Sequence, residues 1–468
     1  MKMAVERAEK IIDNFVDRVR DFASVHDLFV NGGKYIVALS GGADSVSLLR
    51  VMKFLAEDLQ LDVEAAHCNF HLRGEESMRD ESFCKDLCSK LGVKLHLVHF
   101  DTKEYSELHH VSIEMAAREL RYRYFENLRR DIEAEAICVA HHRDDSVETV
   151  LLNLVRGTGI RGLRGIQPRN GMIVRPLLCV SRQDVLDYLA AVNQDYVTDS
   201  TNLVNDVKRN KVRLDLLPML CKLNPNVSKA IFDTSLNMNE AFKVYDSAIV
   251  KSVAEVCEHG KDSIEMPISI LLEKLKKQPS PESTLFQILN PRGFSSAQIE
   301  SILRNLNPVP VGKVLSTSTH ELLYDRGRLV VQPINYGVSD RRMLIPESGV
   351  YVYDEDKKFR VTEINIDAVF TVSRDKFIIS VDALKVRFPL TVRPLKNGER
   401  FVPFGMRTSK LVSDYLTDRK LTLFEKRRQI VVVDADDTVV WIVGERTDNR
   451  VCITSESNRA LIVELIKS

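Results

Sequence analysis

The chain has no net charge to speak of: Lys plus Arg and Asp plus Glu each total 66 among 468 residues. No whole-molecule field therefore draws in an anionic partner, and any such partner must be met by a local patch. Paired cysteine spacings are missing too. The eight cysteines, at 68, 84, 88, 138, 179, 221, 257 and 452, include no CxxC, which fits reduced thiols in a cytoplasmic protein. No apolar run approaches the roughly 20 residues that cross a bilayer. The N-terminal MKMAVERAEKIIDNFVDRVRDF mixes acids and bases at helical spacing, unlike a signal peptide, so no membrane partner is expected. Internal repeats and low-complexity tracts are absent as well.

What is present is an ordinary folding composition, 44% hydrophobic and 28% charged, in a chain long enough for two or three domains. From Lys34 to about Arg213, β-rich runs (YIVALS, VEAAHCNF, KLHLVHF, AICVAHH, MIVRPLL) alternate with helical segments. That alternation predicts an α/β fold, a doubly wound parallel sheet with helices on both faces and ligands at the carboxyl ends of its strands. Beyond Pro218 amphipathic helical patterns dominate (SKAIFDTSLNMNEAFKVYDSAIVKSVAEVC, ISILLEKLKK, SSAQIESILRNL), and β-prone runs follow, ending in QIVVVDADD and VVWIVGE. The expected organisation is a catalytic domain at 1–217, a mainly helical domain at 218–335, a connecting segment at 336–384 and a small mixed α/β domain at 385–468. Between Lys385 and Arg428 lie 12 basic and 4 acidic residues, a patch that suits a polyphosphate backbone or is plain solvated surface.

Ser40-Gly41-Gly42-Ala43-Asp44-Ser45 follows the strand YIVAL and opens a helix. Adjacent glycines let backbone N–H groups approach phosphate oxygens at a helix N-terminus, and Ser40 and Ser45 add hydroxyl donors. Asp44 would repel a bare phosphate, so it points to a bridging divalent cation. The loop is neither a Walker loop nor a dinucleotide fingerprint. It resembles the SGGxDS PP-loop of ATP pyrophosphatases, which split ATP to AMP and pyrophosphate while adenylating a substrate.

Three further blocks follow. In His67-Cys68-Asn69-Phe70-His71-Leu72-Arg73-Gly74, His67 and Arg73 are candidates for nucleotide contact, with a solvated loop as the alternative. In Ala117-Arg118-Glu119-Leu120-Arg121-Tyr122, the arginines share a helix face, suited to phosphate charge or to surface salt bridges. In AHHRDDSVETVLLNLVRGTGIRGLRGI, from Ala140 to Ile166, Asp145 and Glu148 share a helix start beside His141 and His142. Carboxylates there suit magnesium or a substrate ammonium, although acids also favour helix starts. The HH-x-D-D pair also admits a zinc site, but an ATP site calls for a hard cation and no CxxC accompanies it. The glycines from 157 to 165, interleaved with Arg156, Arg161 and Arg164, read as a flexible basic loop.

Together these blocks are similar, in order and spacing, to the N-terminal domain of tRNA(Ile)-lysidine synthetases. Asp199-Ser200-Thr201-Asn202, Arg209-Asn210-Lys211-Val212-Arg213 and Leu217-Pro218 resemble the family's closing signature. Val392-Arg393-Pro394, Gly398-Glu399-Arg400-Phe401, Pro403-Phe404-Gly405 and Trp441-Ile442-Val443-Gly444 resemble its C-terminal tRNA-binding domain. Two positions depart from the family: Ser146 replaces the usual glutamine after the paired aspartates, and Ser409-Lys410 replaces a doubled lysine.

The resemblance implies that carbon 2 of the wobble cytidine in a CAU-anticodon isoleucine tRNA is joined to free L-lysine, through an adenylated cytidine. It implies ATP at Ser40 to Ser45 with His67 and Arg73, and magnesium on Asp44 and Asp145. Arg118 would stabilise developing charge, making Asp44, Arg118 and Asp145 the catalytic set, with Glu148 binding lysine. Arg121, Arg209, Arg213, Arg393, Arg400 and Lys410 would meet tRNA, and a homodimer is allowed. The rival readings are a PP-loop tRNA thiolase, a GMP or NAD synthetase, and a non-catalytic nucleotide-sensing RNA-binding protein. Missing CxxC pairs weigh against the first, the basic C-terminal segment against the second, and intact Asp44, Arg118 and Asp145 against the third.

Overall fold

The computed structural model describes residues 2–198, 207–258, 263–307, 310–367 and 370–467, and the chain divides into two compact units, Met1–Tyr245 and Asp246–Ser468. The Asp199-Ser200-Thr201-Asn202 block lies outside the described residues.

In the first unit, α1 (Lys2–Val25) precedes β1 (Lys34–Ala38), α2 (Ala43–Leu59), β2 (Asp62–Asn69), α3 (Glu75–Leu91) and β3 (Leu95–His99). Then come α4 (Thr102–His109), α5 (Ile113–Asp131), β4 (Ala136–Cys138), α6 (Arg143–Arg156), α7 (Ile160–Leu163), β5 (Arg169–Asn170), β6 (Ile173–Val174) and α8 (Arg182–Ala191). The strands form one sheet in the order β3-β2-β1-β4-β6-β5. It is parallel from β3 to β6, with only the edge strand β5 antiparallel.

The central strand β1 is covered on both faces. Its two-residue period sends Tyr35 and Val37 into the cluster with Val46, Leu49 and Tyr188, and Ile36 into the opposite cluster with Phe125 and Leu128. Full burial of each such side chain contributes roughly 1.5–3 kcal/mol. That explains why the strand reads as a continuous apolar run. Local punctuation agrees: Ser112 caps α5 by accepting from Met115 N, Ser181 and Asp184 form a capping box on α8, and Gly92 ends α3 in the left-handed region at φ +62°. Strand order reverses between β1 and β4, so their carboxyl ends open a crevice.

The second unit holds more β structure than its sequence texture suggests. Its first sheet is antiparallel, in the order Cys257–Glu258, Ile268–Leu271, Arg328–Pro333, His320–Asp325, Val314–Ser316. Helices Pro281–Leu289 and Ser296–Arg304 bury Leu285, Ile288 and Ile302 against it. ISILLEKLKK, read as a helix, is corrected: Ile268–Leu271 is a strand and only Leu272–Lys276 is helical. Ile268 and Ile270 alternate into the core, and the ladder to Arg328–Pro333 outweighs the helix preference of leucine.

The 336–384 stretch is more than a connector. Gly349–Val352, Lys357–Asn365 and Ile378–Asp382 form a four-stranded sheet with the C-terminal strand Arg459–Lys467. A further sheet takes Met343–Ile345, Leu390–Pro394, Ile430–Val433, Val439–Ile442 and Arg446–Thr447 in that order. Trp441, fully buried, meets Phe359 edge-on at 6.4 Å and joins the two sheets in one core.

Candidate active site

The glycine loop runs from the end of β1 into α2. Gly41 adopts φ +89°, where L side chains are strained, and an added Cβ would also lie 3.4 Å from Cys84 Sγ on α3. Inside the turn Ser40 N donates to Ser45 Oγ at 3.1 Å, and Ser45 Oγ donates to Gly42 O at 3.0 Å. Ser40 and Ser45 also share a hydroxyl contact at 3.1 Å. Ala43 turns its methyl into the core, so only its backbone N–H is left to serve an anion. The first turn of α2 aims free N–H groups into the crevice, the electrostatic condition for phosphate.

Across the crevice, β4 leads through His141 and His142 into α6. Nε2 of His142 lies 3.8 Å from Asp44 Oδ1 and 3.5 Å from Asp145 Oδ2, so the two carboxylates converge on one imidazole. Each also has an arginine partner: Arg182 Nη1 with Asp44, and Arg209 Nη2 with Asp145 at 2.9 Å. Burial opposes charge on Asp145, yet His142, His141 and Arg209 outweigh it and hold its pKa below the usual carboxylate value. Burial also pushes His141 down to about 4. Its Nδ1 accepts from Arg175 Nε at 3.2 Å, which requires the neutral ring.

The crevice is a pocket of about 280 Å³ lined by Ser40, Asp44 and Ser45 on one side and by Arg118, Arg121 and Tyr122 of α5 on another. Ala38, Ala66, Cys68, Phe125 and Val139 give it an apolar wall, the mixture that suits a nucleobase with a charged tail. Both guanidiniums rest on aromatic faces, Arg118 over Tyr122 at 5.1 Å and Arg121 over Phe70 at 5.3 Å. Cys68 is pushed up to about 12 by burial, so it is a neutral thiol rather than a sulfur nucleophile.

Several expected contacts fall elsewhere. His67 is buried and its Nδ1 bonds Leu39 O at 2.8 Å, so it props the loop from beneath and does not face the pocket. Arg73 pairs with Asp80 at 2.9 Å, on the helix that backs Gly41. Glu148 is 1% exposed and bound by Arg209 at 2.5 Å and Arg213 at 2.7 Å, so two guanidiniums hold the carboxylate expected to meet lysine. Arg209 and Arg213 serve that clasp. The glycine-rich stretch is not a free loop either. Arg164 bonds Asn239 at 2.9 Å and lies 4.1 Å over Phe242, with Arg161 over the same ring at 5.4 Å.

Ser146 now has a reason. It is fully buried and its Oγ accepts from Ile166 N at 3.0 Å, while Gly165, at φ +62°, comes so near that an added Cβ would sit 2.4 Å from that oxygen. The small side chain lets the glycine-rich stretch close onto α6. In the second unit Arg393 is a correction: 3% exposed and paired with Glu399 and Asp437, it is a core cation with no surface for phosphate. Arg400 is exposed and bonds Ser409 O at 3.0 Å, and Lys410 pairs with Asp418.

Arg182 and Arg175 escaped sequence reading. Arg182 stands one residue after a helix-opening serine, with no local signal of the carboxylate it meets, 138 positions away.

Residues 9–220 match the PP-loop domain family, 265–334 the TilS substrate binding domain and 390–463 the TilS substrate C-terminal domain. A tRNA(Ile)-lysidine synthase of Bacteroides thetaiotaomicron is 42% identical over 96% of this chain and 99% of its own length. One of Porphyromonas gingivalis is 36% identical over 95% and 97%. Among solved structures, the U34-tRNA thiolase NcsA of Methanococcus maripaludis with its [4Fe-4S] cluster overlaps 50% of this chain and 80% of its own, at 19% identity and a TM-score of 0.43.

Proposed function

The chain belongs to the tRNA(Ile)-lysidine synthase family of ATP-dependent PP-loop ligases, and from that premise we propose how its own residues divide the reaction. The α-phosphate of ATP lies against the Ser40 to Ser45 loop, and the wobble cytosine of a CAU-anticodon isoleucine tRNA enters the crevice unstacked. Its O2 attacks the α-phosphorus and pyrophosphate leaves. The ε-amine of free L-lysine then attacks carbon 2, the carbon–oxygen bond breaks and AMP departs, the amine giving up a proton. The observation that carries this reading is the convergence of Asp44 and Asp145 on His142 Nε2 beside a pocket walled by Arg118 and Arg121.

Arg118 and Arg121 supply fixed positive charge where the phosphate becomes more negative, an effect worth ~3 kcal/mol for one well-placed donor. Asp44 and Asp145 are hard oxygen donors and fit a magnesium ion. Among the described residues no set of three or more His, Cys, Asp or Glu side chains can hold a metal alone, which suits an ion that keeps water and phosphate oxygens as its remaining ligands. Such an ion would neutralise the triphosphate and polarise it. Arg182 and Arg209 hold the two carboxylates in place. Arg400 and Lys410 remain candidates for tRNA phosphate contact. Among the described residues no helix is long and apolar enough to cross a membrane, and a cytoplasmic setting fits the substrates.

The test is incubation with magnesium, ATP and labelled lysine, with either a CAU-anticodon isoleucine tRNA or the initiator methionine tRNA. ATP-dependent label on the first alone is the expected result. Label on neither, with intact protein, rejects the substrate assignment.

A further inference from the structure

Beside the ATP crevice, at the carboxyl ends of β2 and β3, lies a second pocket of about 350 Å³ lined by Phe70, His71, His99, Phe100, Asp101, Thr102 and Lys103. Phe70 lines both pockets. Two flat surfaces bound this one: His71 and His99 lie edge to edge and nearly coplanar, ring centroids 5.0 Å apart and planes 19° apart, and Phe70 stacks on Phe100 at 5.6 Å and 25°.

The placement of His71 is built from beneath. It is a non-glycine residue held at φ +51°, a conformation that persists only when its surroundings impose it. Asn69 Oδ1 accepts the His71 N–H at 3.0 Å, and the buried Glu81 fixes Asn69 by accepting from its Nδ2 at 2.8 Å. The ring then bonds His99 at 2.9 Å, with Glu81 3.6 Å from the far nitrogen of His99. A buried carboxylate, an amide and a strained backbone thus hold an imidazole plate in solvent. Nothing in the proposed chemistry of the ATP crevice uses it.

We infer that this pocket receives the base of the nucleotide next to the wobble cytidine, stacking it on the His71–His99 plate with Lys103 near its phosphate. The inference rests on the function proposed above. A cytosine drawn into the ATP crevice is unstacked from its neighbours, whose exposed faces then need a new surface, and aromatic plates beside a cation are the usual one for single-stranded RNA. The shared Phe70 wall puts the plate one pocket away. Adenine of ATP is better served by the aliphatic wall beside Ser40, which lines only the first pocket.

The full chain is assayed for lysine transfer to a full-length CAU-anticodon isoleucine tRNA, intact or abasic at the 3′ or the 5′ neighbour of the wobble cytidine. No transfer by wild type to the intact RNA counts against the function itself. With wild type active, His71→Asn, which tolerates the left-handed backbone, raises the RNA KM on the order of 10-fold, far more than the KM for ATP. One of the abasic RNAs raises the wild-type KM similarly yet adds little on top of His71→Asn, and which one couples identifies the neighbour. Equal abasic penalties in wild type and His71→Asn, or a KM shift that falls on ATP or lysine instead, overturn the inference.

Discussion

Arg213 grips Glu148 with two hydrogen bonds, Nε to Oε1 at 2.7 Å and Nη2 to Oε2 at 3.2 Å, while Arg209 holds the same carboxylate at 2.5 Å. Removing the carboxylate leaves two guanidiniums facing each other. Breaking a buried pair costs about 3–5 kcal/mol, and because the arginines are 33% and 44% exposed, water lowers the expected loss for Glu148→Ala to about 2 kcal/mol. Urea denaturation measures it. Wild-type stability with a raised KM for lysine would make Glu148 a substrate ligand rather than a structural anchor.

Asp44→Asn keeps the shape of the loop and removes its charge. Pyrophosphate release with the isoleucine tRNA is expected to fall by about 100-fold or more, with the urea midpoint little changed. Turnover near wild type would reject the site.

Gly165→Ala places a methyl against Ser146 Oγ at a backbone angle of +62°. The expected cost is about 1–3 kcal/mol. Adding Ser146→Ala removes the hydroxyl but not the backbone strain, so part of the loss returns, and a double-mutant cycle reads the coupling.

Burial holds His141 at about 4, below its ordinary 6.5. The unfolded chain therefore binds a proton that the folded one refuses between those values, and stability rises with pH across that window. The contribution is intact above pH 6.5 and is lost as pH falls toward 4. His141→Asn is expected to flatten the denaturation midpoint against pH over that range. An equally steep profile in the variant would assign the slope to other groups.

Two arginines of the C-terminal patch should separate. Arg393→Ala deprives the largely buried Glu399 of its guanidinium, while Lys396 still pairs Asp437 at 2.6 Å, and lowers stability by about 2 kcal/mol. Arg400→Ala leaves stability alone and, if Arg400 meets a phosphate, reduces the salt dependence of tRNA binding by about 1 in log–log slope. Binding isotherms at several salt concentrations, with denaturation alongside, distinguish them.

Much of the first unit was legible in the chain. The continuous apolar run Tyr35 to Val37 belongs to a strand covered on both faces, and Gly41-Gly42 before Asp44 announces an anion loop, because these signals lie within a few residues of one another. ISILLEKLKK misled for the opposite reason: whether Ile268 to Leu271 extends or coils depends on Arg328–Pro333, some 60 positions on, offering a free edge.

The sequence by itself determined the parallel sheet, the phosphate loop, the paired α5 arginines and the family, all carried by local spacing. Only the tertiary structure decided which charges are spent. Arg182 on Asp44, Arg209 and Arg213 on Glu148, and Asp437 on Arg393 are meetings of residues far apart in the chain. A charged side chain reads alike in a sequence whether it faces water, substrate or an opposite charge. Packing alone sets its burial and its partner, and these settle whether it holds the fold together or is left to do chemistry.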